Sequence, residues 1–231
     1  MQGLKKVNNC DILIIPHFAL CRTDRCHSEI YISGGLSINM IELFTMAIAY
    51  LLGSFPTAYI LGRLFKKFDI REFGSGNVGA VNIYRAAGFI PGVLTVLIDI
   101  AKGALAVGMA INWSENPLVV FMAGLLVLLG HNYSIFLRFK GGKGLATGLG
   151  VLIALSPSTI PFILLTAVVL TILLKDTNTA FGSSALSIPV ILLFQYQQLA
   201  WVLFGLALAA IIIVKHGPDY RAYREGRRKL V

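Results

Sequence analysis

The sequence predicts an all-α polytopic membrane protein of about seven transmembrane helices, with its N-terminus outside and its C-terminus in the cytoplasm. Three observations lead there. Of 231 residues, 56% are hydrophobic and only 13% are charged, against about 25% charged in an average soluble domain. Apolar runs near the roughly 20 residues that a bilayer-crossing helix needs follow one another along the chain. Lys and Arg are confined to alternate connections between those runs. Lipid offers the backbone no hydrogen-bond partners, so only helices or a closed barrel can span it. No alternation of strand period points to a barrel.

The elements follow in order. Residues 1–39 ("MQGLKKVNNC…ISGGLSIN") are mixed in character, without a persistent period. Residues 11–20 are fairly apolar, but the run is short and no A-x-A pattern follows, so it is not a signal peptide. Cys10, Cys21 and Cys26, with His17 and His27, lack a recognised ligand spacing, and no metal is expected. Met40 opens "MIELFTMAIAYLLGSFPTAYILG" and makes a natural start for a membrane protein. Residues 1–39 are therefore expected to be an extension, untranslated or disordered, and 40–231 the integral membrane domain.

Seven apolar segments follow, roughly 40–64, 90–111, 117–137, 144–155, 158–174, 180–195 and 198–214. The fourth is short for a crossing and is expected to be tilted or partly inserted. Turn signals separate the segments: Pro91, "NWSENP", "SPS", "KDTN" and "QYQQ". One set of connections holds Arg63, Lys66, Lys67, Arg71 and Arg85, then Arg138, Lys140 and Lys143, then Lys175, then the basic tail from Lys215. The alternate connections at 112–116, 156–158 and 195–198 hold no Lys or Arg, which orients the basic set toward the cytoplasm. Lys5, Lys6, Arg22 and Arg25 would lie on the wrong side, which again favours a start at Met40. The same rule accounts for most of the net charge of +9, and no nucleic-acid partner is expected.

Two of the cytoplasmic connections are glycine-rich. "FGSGNVGAVNIYR" (73–85) has Gly74, Ser75, Gly76 and Gly79, then Asn82 and Arg85; "FKGGKGLATG" (139–148) adds Lys140 and Lys143. Backbone N–H groups of glycines can converge on an anion, Ser75 adds a hydroxyl, and Arg85 can grip phosphate bidentately beside mobile lysines. Glycines that only let helices pack closely are the competing explanation. "GGKGLAT" is not a nucleotide-binding loop, because Gly144 follows Lys143 where Ser or Thr is needed. Asp99 and Lys102, spaced i, i+3 inside "VLIDIAKGALAV", share a helix face and can pair; ionisable groups at membrane depth mark a site by default. His131 and His216 are candidate bases or phosphate ligands.

These motifs resemble those of the bacterial acyl-phosphate–glycerol-3-phosphate acyltransferases. "GSGNVGAVNIYR" is similar to the family's GSGNxGATNxxR, and "HNYSIFLRFKGGKGLAT" to its H-x-x-P-x-F-L-x-FKGGKGVAT. "GSFPTAYILGR" and "DIAKG" also fit, and the similarity runs from about Met40 to the C-terminus. The resemblance implies transfer of a fatty acyl group from acyl phosphate to the sn-1 hydroxyl of glycerol 3-phosphate, giving lysophosphatidic acid. It implies no cofactor and no metal, a multi-pass protein of the bacterial inner membrane among its lipids, an active site facing the cytoplasm, and coupling to an enzyme that makes acyl phosphate. Carried over by residue, Ser75 and Arg85 match functional positions of the first motif, with Gly74, Gly76, Asn77 and Asn82 beside them. Lys140, Gly141, Gly142, Lys143 and Gly144 match the second, which His131 opens. Ser183 matches a serine of a further stretch.

The chain departs from the third motif, H-x-x-N-I-x-R-L-x-x-G-T-E. His216 and Gly226 match, whereas Asp219, Ala222 and Arg228 stand for its asparagine, arginine and glutamate. Val81 and Ser134 replace a threonine and a proline of the first two motifs. Asp219 puts an anion beside a phosphate site, which would weaken glycerol 3-phosphate binding or suit an acceptor with a cationic group. On this reading Ser75, Arg85, Lys143 and His216 are the catalytic set. The alternatives are a transporter of a phosphorylated solute and a non-catalytic or substrate-altered paralogue.

Overall fold

A computed structural model describes residues 38–226, together with the backbone of residues 5–7, 10–15 and 18–21. Helix α1 (Met40–Ser54) starts with a capping box: Glu42 N donates to the Asn39 side chain and Asn39 N to the Glu42 carboxylate, both at 2.9 Å. The same carboxylate accepts from Ser114 Oγ at 2.6 Å, which ties the start of α1 to the end of α4 (Phe89–Trp113). Residue 39, assigned to the extension, thus belongs structurally to the membrane domain. Upstream, β1 (Lys5–Val7), β2 (Cys10–Ile15) and β3 (Phe18–Cys21) form an antiparallel meander. Strands of three to six residues are too short to show a period in the sequence. The readings placed on His17, Cys26 and His27 lie outside the described residues.

The first apolar segment was expected to be continuous, but it breaks at Phe55 and Pro56. Proline has no N–H to extend the ladder, and the chain restarts as α2 (Thr57–Lys66). A loop and the short helix α3 (Ala80–Ala87) lead into α4. Then come α5 (Pro117–Asn132), α6 (Leu145–Leu155), α7 (Ile160–Leu174), α8 (Thr177–Ser184), α9 (Ser187–Tyr196) and α10 (Leu199–Arg224).

Six stretches are long and apolar enough to cross a membrane: Met40–Lys66, Phe89–Trp113, Pro117–Leu137, Pro157–Leu174, Thr177–Tyr196 and Leu199–Arg224. Each overlaps a segment read from the sequence, but the last, read as ending at 214 before a basic tail, continues as helix to Arg224. The remaining segment, 144–155, is α6, whose 11 residues span about 16 Å against a hydrocarbon core of about 30 Å.

Helix contacts rest on small residues, as expected where lipid gives no hydrophobic drive to association. Between α1 and α5, a methyl group at Gly53 would overlap the Val127 carbonyl, and one at Gly130 the Tyr50 carbonyl. Between α4 and α6, Gly103 meets the Thr147 carbonyl and Gly150 that of Ile100 in the same way. Valines and alanines, among them Val107, Ala110, Ala123, Val127 and Val151, fill the centre. An aromatic group closes one end: Tyr196 stacks on Trp201 at 4.0 Å and Phe121 on Phe204 at 4.9 Å, joining α10 to α9 and α5. Most of α7 faces outward.

Gly130→Val should destabilise the fold by about 1–3 kcal/mol through backbone displacement, read as a lower melting temperature in detergent. Gly108→Val, with nothing within 4 Å of its Cβ position, should leave that temperature unchanged.

Candidate active site

The first glycine-rich loop wraps around one side chain. Asn82, in the first turn of α3, is buried, and its Nδ2 lies 3.2, 2.9 and 3.0 Å from the carbonyls of Ile70, Phe73 and Asn77. Its Oδ1 accepts from Ser75 N at 3.3 Å. To turn this tightly the backbone takes φ of +56° at Gly74 and +67° at Gly76, a region that L side chains rarely adopt. Asn82, read from the sequence as facing substrate, has its amide engaged in shaping the loop. Ser75 is exposed, its hydroxyl accepting from Asn77 N at 3.4 Å. Arg85, one turn along α3, is exposed and has no acidic partner among the described residues. Val81 is also exposed.

A buttress holds this loop to α2. Asp69 accepts from Arg71 Nε at 3.0 Å and Nη2 at 2.7 Å, and lies 3.5 Å from Arg63. Both guanidinium groups stand over the Tyr59 ring, at 5.4 Å for Arg63 and 5.2 Å for Arg71. The hydrogen bonds from Arg71 hold the Asp69 carboxyl below the usual carboxylate range and raise the Arg71 guanidinium. These two arginines are engaged structurally. Beneath them Ala58, Ile70, Val78, Ile83 and Leu137 form a small apolar core.

The second loop uses its glycines differently. Gly141 N donates to Asn132 O at 3.2 Å and Gly142 N to His131 O at 3.0 Å. A methyl group at Gly141 would overlap the His131 carbonyl, and one at Gly142 the His131 ring. Both glycines therefore let the loop lie flat on the end of α5, and their N–H groups are engaged there instead of pointing at an anion. Gly144, at φ +84°, is the N-cap of α6. Lys140 is exposed. Lys143 extends to Asp219 on α10 and pairs with it.

Below both loops lies a buried polar cluster in a small pocket. Asp99 Oδ1 is 2.8 Å from Lys102 Nζ, accepts from Thr57 Oγ1 at 2.9 Å, and lies 3.7 Å from His131 Nδ1. The i, i+3 pairing of Asp99 with Lys102 was legible in the sequence; its partners Thr57 on α2 and His131 on α5 were not. Lys102 also reaches the Phe55 carbonyl at 3.3 Å, and Ser134 donates to the Ser54 carbonyl, so the carbonyls freed by the helix break both find donors. Pro56 was the available signal for this arrangement. Ser134, where the resembling family has proline, thereby ties the end of α5 to the break. The lining runs from Thr57 and Val78 to Gly141 and Gly142.

The two loops meet there: a Cβ on Gly142 would stand 3.0 Å from Val78 O. On α10, His216 and Asp219 are buried one turn apart. His216 Nδ1 is 2.9 Å from the Ile212 carbonyl, and Gly182 of α8 lies so close that a methyl group there would overlap the ring; Ser183, next along α8, is half-buried. The structure thus gathers His131, Gly141 and Gly142 with the first loop, and Lys143 with Asp219, one turn from His216. Ser75, Arg85 and Lys140 stand exposed on the flanking loops and α3.

A broken first span, two glycine-rich loops in contact and a buried histidine on the last helix mark a helical membrane protein with a polar site among its helices. Comparison with known proteins narrows the class. The glycerol-3-phosphate acyltransferase family model matches residues 43–226. A Dehalococcoides mccartyi protein named glycerol-3-phosphate acyltransferase 2 is 38% identical over 180 residues, covering 78% of this chain and 85% of its own. Crystal structures of PlsY (YgiH), an integral membrane glycerol 3-phosphate acyltransferase, are similar in two forms. The glycerol 3-phosphate form superposes with a TM-score of 0.76 at 34% identity, covering 82% of this chain and 95% of that one. The lysophosphatidic acid form gives 0.75 at 33%, covering 82% and 94%. The chain belongs to the glycerol-3-phosphate acyltransferase family.

Because the Asp69 carboxyl titrates below its unfolded value, its stabilising contribution is complete above about pH 4. It is lost as pH falls through the lower folded-state value. The melting-temperature deficit of Asp69→Asn against the parent protein should therefore be constant from pH 8 to 5 and shrink below about pH 4. Separately, Asn82→Ala should unwind the first loop and cost at least about tenfold in kcat/KM while the helical circular dichroism is retained, since truncation leaves Ser75 N and three carbonyls to find new partners.

Proposed function

We propose that this protein transfers a fatty acyl group from acyl phosphate to the sn-1 hydroxyl of glycerol 3-phosphate, at the cytoplasmic face of a bacterial inner membrane. The observation that most supports it is the contact between the two glycine-rich loops at Val78 and Gly142, with Ser75, Arg85 and Lys143 on the segments that meet. Family membership and the relatives' named acceptor point the same way. In this reading α6, completed by the loop at its start, is the fourth of seven crossings, with the N-terminus outside and the C-terminus in the cytoplasm. The absence of Lys and Arg from the connections at 112–116 and 156–158 supports that orientation.

Acyl phosphate is already activated, so catalysis rests on placement and on charge. The sn-1 hydroxyl oxygen attacks the acyl carbonyl carbon. The bond from that carbon to the phosphate oxygen breaks, and inorganic phosphate leaves with the electron pair. The hydroxyl proton passes to a phosphate oxygen or to His216. Arg85 and Lys143 hold the phosphates, and Ser75 donates a hydrogen bond to a substrate oxygen. Among the described residues no histidine–carboxylate relay contacts Ser75, which argues against an acyl-serine step. Outward-facing apolar residues of the spans guide the acyl chain from the leaflet.

Purified protein given palmitoyl phosphate and labelled glycerol 3-phosphate should form labelled lysophosphatidic acid and release one phosphate per product. Substrate-dependent flux into liposomes without acyl transfer would replace this reading with transport, and binding without either would replace it with a non-catalytic paralogue. Ser75→Ala, Arg85→Ala and Lys143→Ala should each lower kcat/KM by about 100-fold or more, as loss of a charge-stabilising group does, with melting temperature retained in the first two and lowered in Lys143→Ala, which leaves the buried Asp219 without its ion-pair partner.

A further inference from the structure

Lys143 is the basic residue of the second loop that the fold directs inward, and it is already paired with an anion. Asp219 lies on α10, one turn beyond His216, and is 2% exposed; Lys143 retains 19% of its side-chain exposure and forms an ion pair with it. The pair joins two elements distant in sequence, so it is set by the tertiary fold and not by local spacing. Asp219 is held in a helix whose neighbouring turn is wedged by Gly182 against the His216 ring. The lysine, on a loop and with a flexible four-carbon stem, is the mobile partner.

We infer that Asp219 acts as a tethered anion in the phosphate subsite, occupying Lys143 in place of a substrate oxygen and thereby setting the affinity for phosphorylated ligands. This rests on the reading of Lys143 as a phosphate ligand. A phosphate arriving at Lys143 must draw the ammonium away from a buried carboxylate, or bind with that carboxylate a few ångströms off. A like charge at that distance, even with an effective dielectric of about 20, weakens binding tenfold or more. An amide at position 219 would hold the same geometry and leave the lysine's charge to the ligand. Asp219 is therefore a specificity-determining residue that acts through Lys143. It disfavours dianionic phosphate monoesters at low concentration and makes occupancy of the site respond to substrate supply.

The test measures binding and turnover separately in the full chain, purified in detergent. Inorganic phosphate and glycerol 3-phosphate are titrated calorimetrically into the parent protein, Asp219→Asn, Lys143→Met and the double variant. Asp219→Asn should bind both ligands at least tenfold more tightly, and its KM for glycerol 3-phosphate should fall more than its kcat changes. The gain should vanish in the Lys143→Met background. Unchanged or weaker binding by Asp219→Asn would overturn the inference, because the carboxylate would then be indifferent to the ligand or would be positioning the lysine for it. An equal gain with and without Lys143 would also overturn it, by removing the lysine from the account. If the parent protein transfers no acyl group, the proposed reaction fails while the phosphate titrations still decide the role of Asp219. If Asp219→Asn does not fold, Asp219→Ser removes the same charge in a smaller volume and is read by the same titrations.

Discussion

A carboxylate at membrane depth organises this protein. Asp99 sits among apolar helices where an isolated charge is costly, and it is met by Lys102 on its own helix, Thr57 on α2 and the His131 ring on α5. Removing any one partner would leave a buried charge short of compensation, so the three helices are constrained to one arrangement. The break in the first span belongs to the same arrangement, because its exposed carbonyls are answered by Lys102 and Ser134. Both glycine-rich loops are then laid over this base.

The loops show that one composition serves two purposes. In the first, Gly74 and Gly76 supply backbone angles that side chains rarely adopt and let the chain circle Asn82. In the second, Gly141 and Gly142 bring the loop against His131 and Asn132, with N–H groups turned down onto helix carbonyls. The capacity of the second loop to attract an anion therefore resides in its lysines more than in its backbone. The closing helix then places a carboxylate on one of those lysines.

Most of the architecture was legible in the sequence because lipid imposes a length and a hydropathy on each crossing. The six long helical stretches overlap the apolar runs, the last of them running on to Arg224 beyond its apolar part, and the run judged short, 144–155, is the 11-residue α6. The Asp99–Lys102 pair followed from helical spacing. What escaped notice depends on contacts between distant segments: Thr57 on Asp99, Ser134 on the Ser54 carbonyl, and Asp219 on Lys143. No local pattern announces them. Asn82 shows a related limit, since a motif marks that a residue matters without saying whether it meets ligand or backbone. The residue before Met40 is another case, where a boundary drawn by composition cut through a helix cap.

The shortness of α6 has a bearing on the lipid itself. A helix of 11 residues covers about half of the hydrocarbon thickness, so the polar loop at its start cannot rest at the headgroup plane while its other end reaches the opposite surface. A loop that dips below that plane must bring its own hydrogen-bond partners, and Gly141 N and Gly142 N find theirs in the Asn132 and His131 carbonyls.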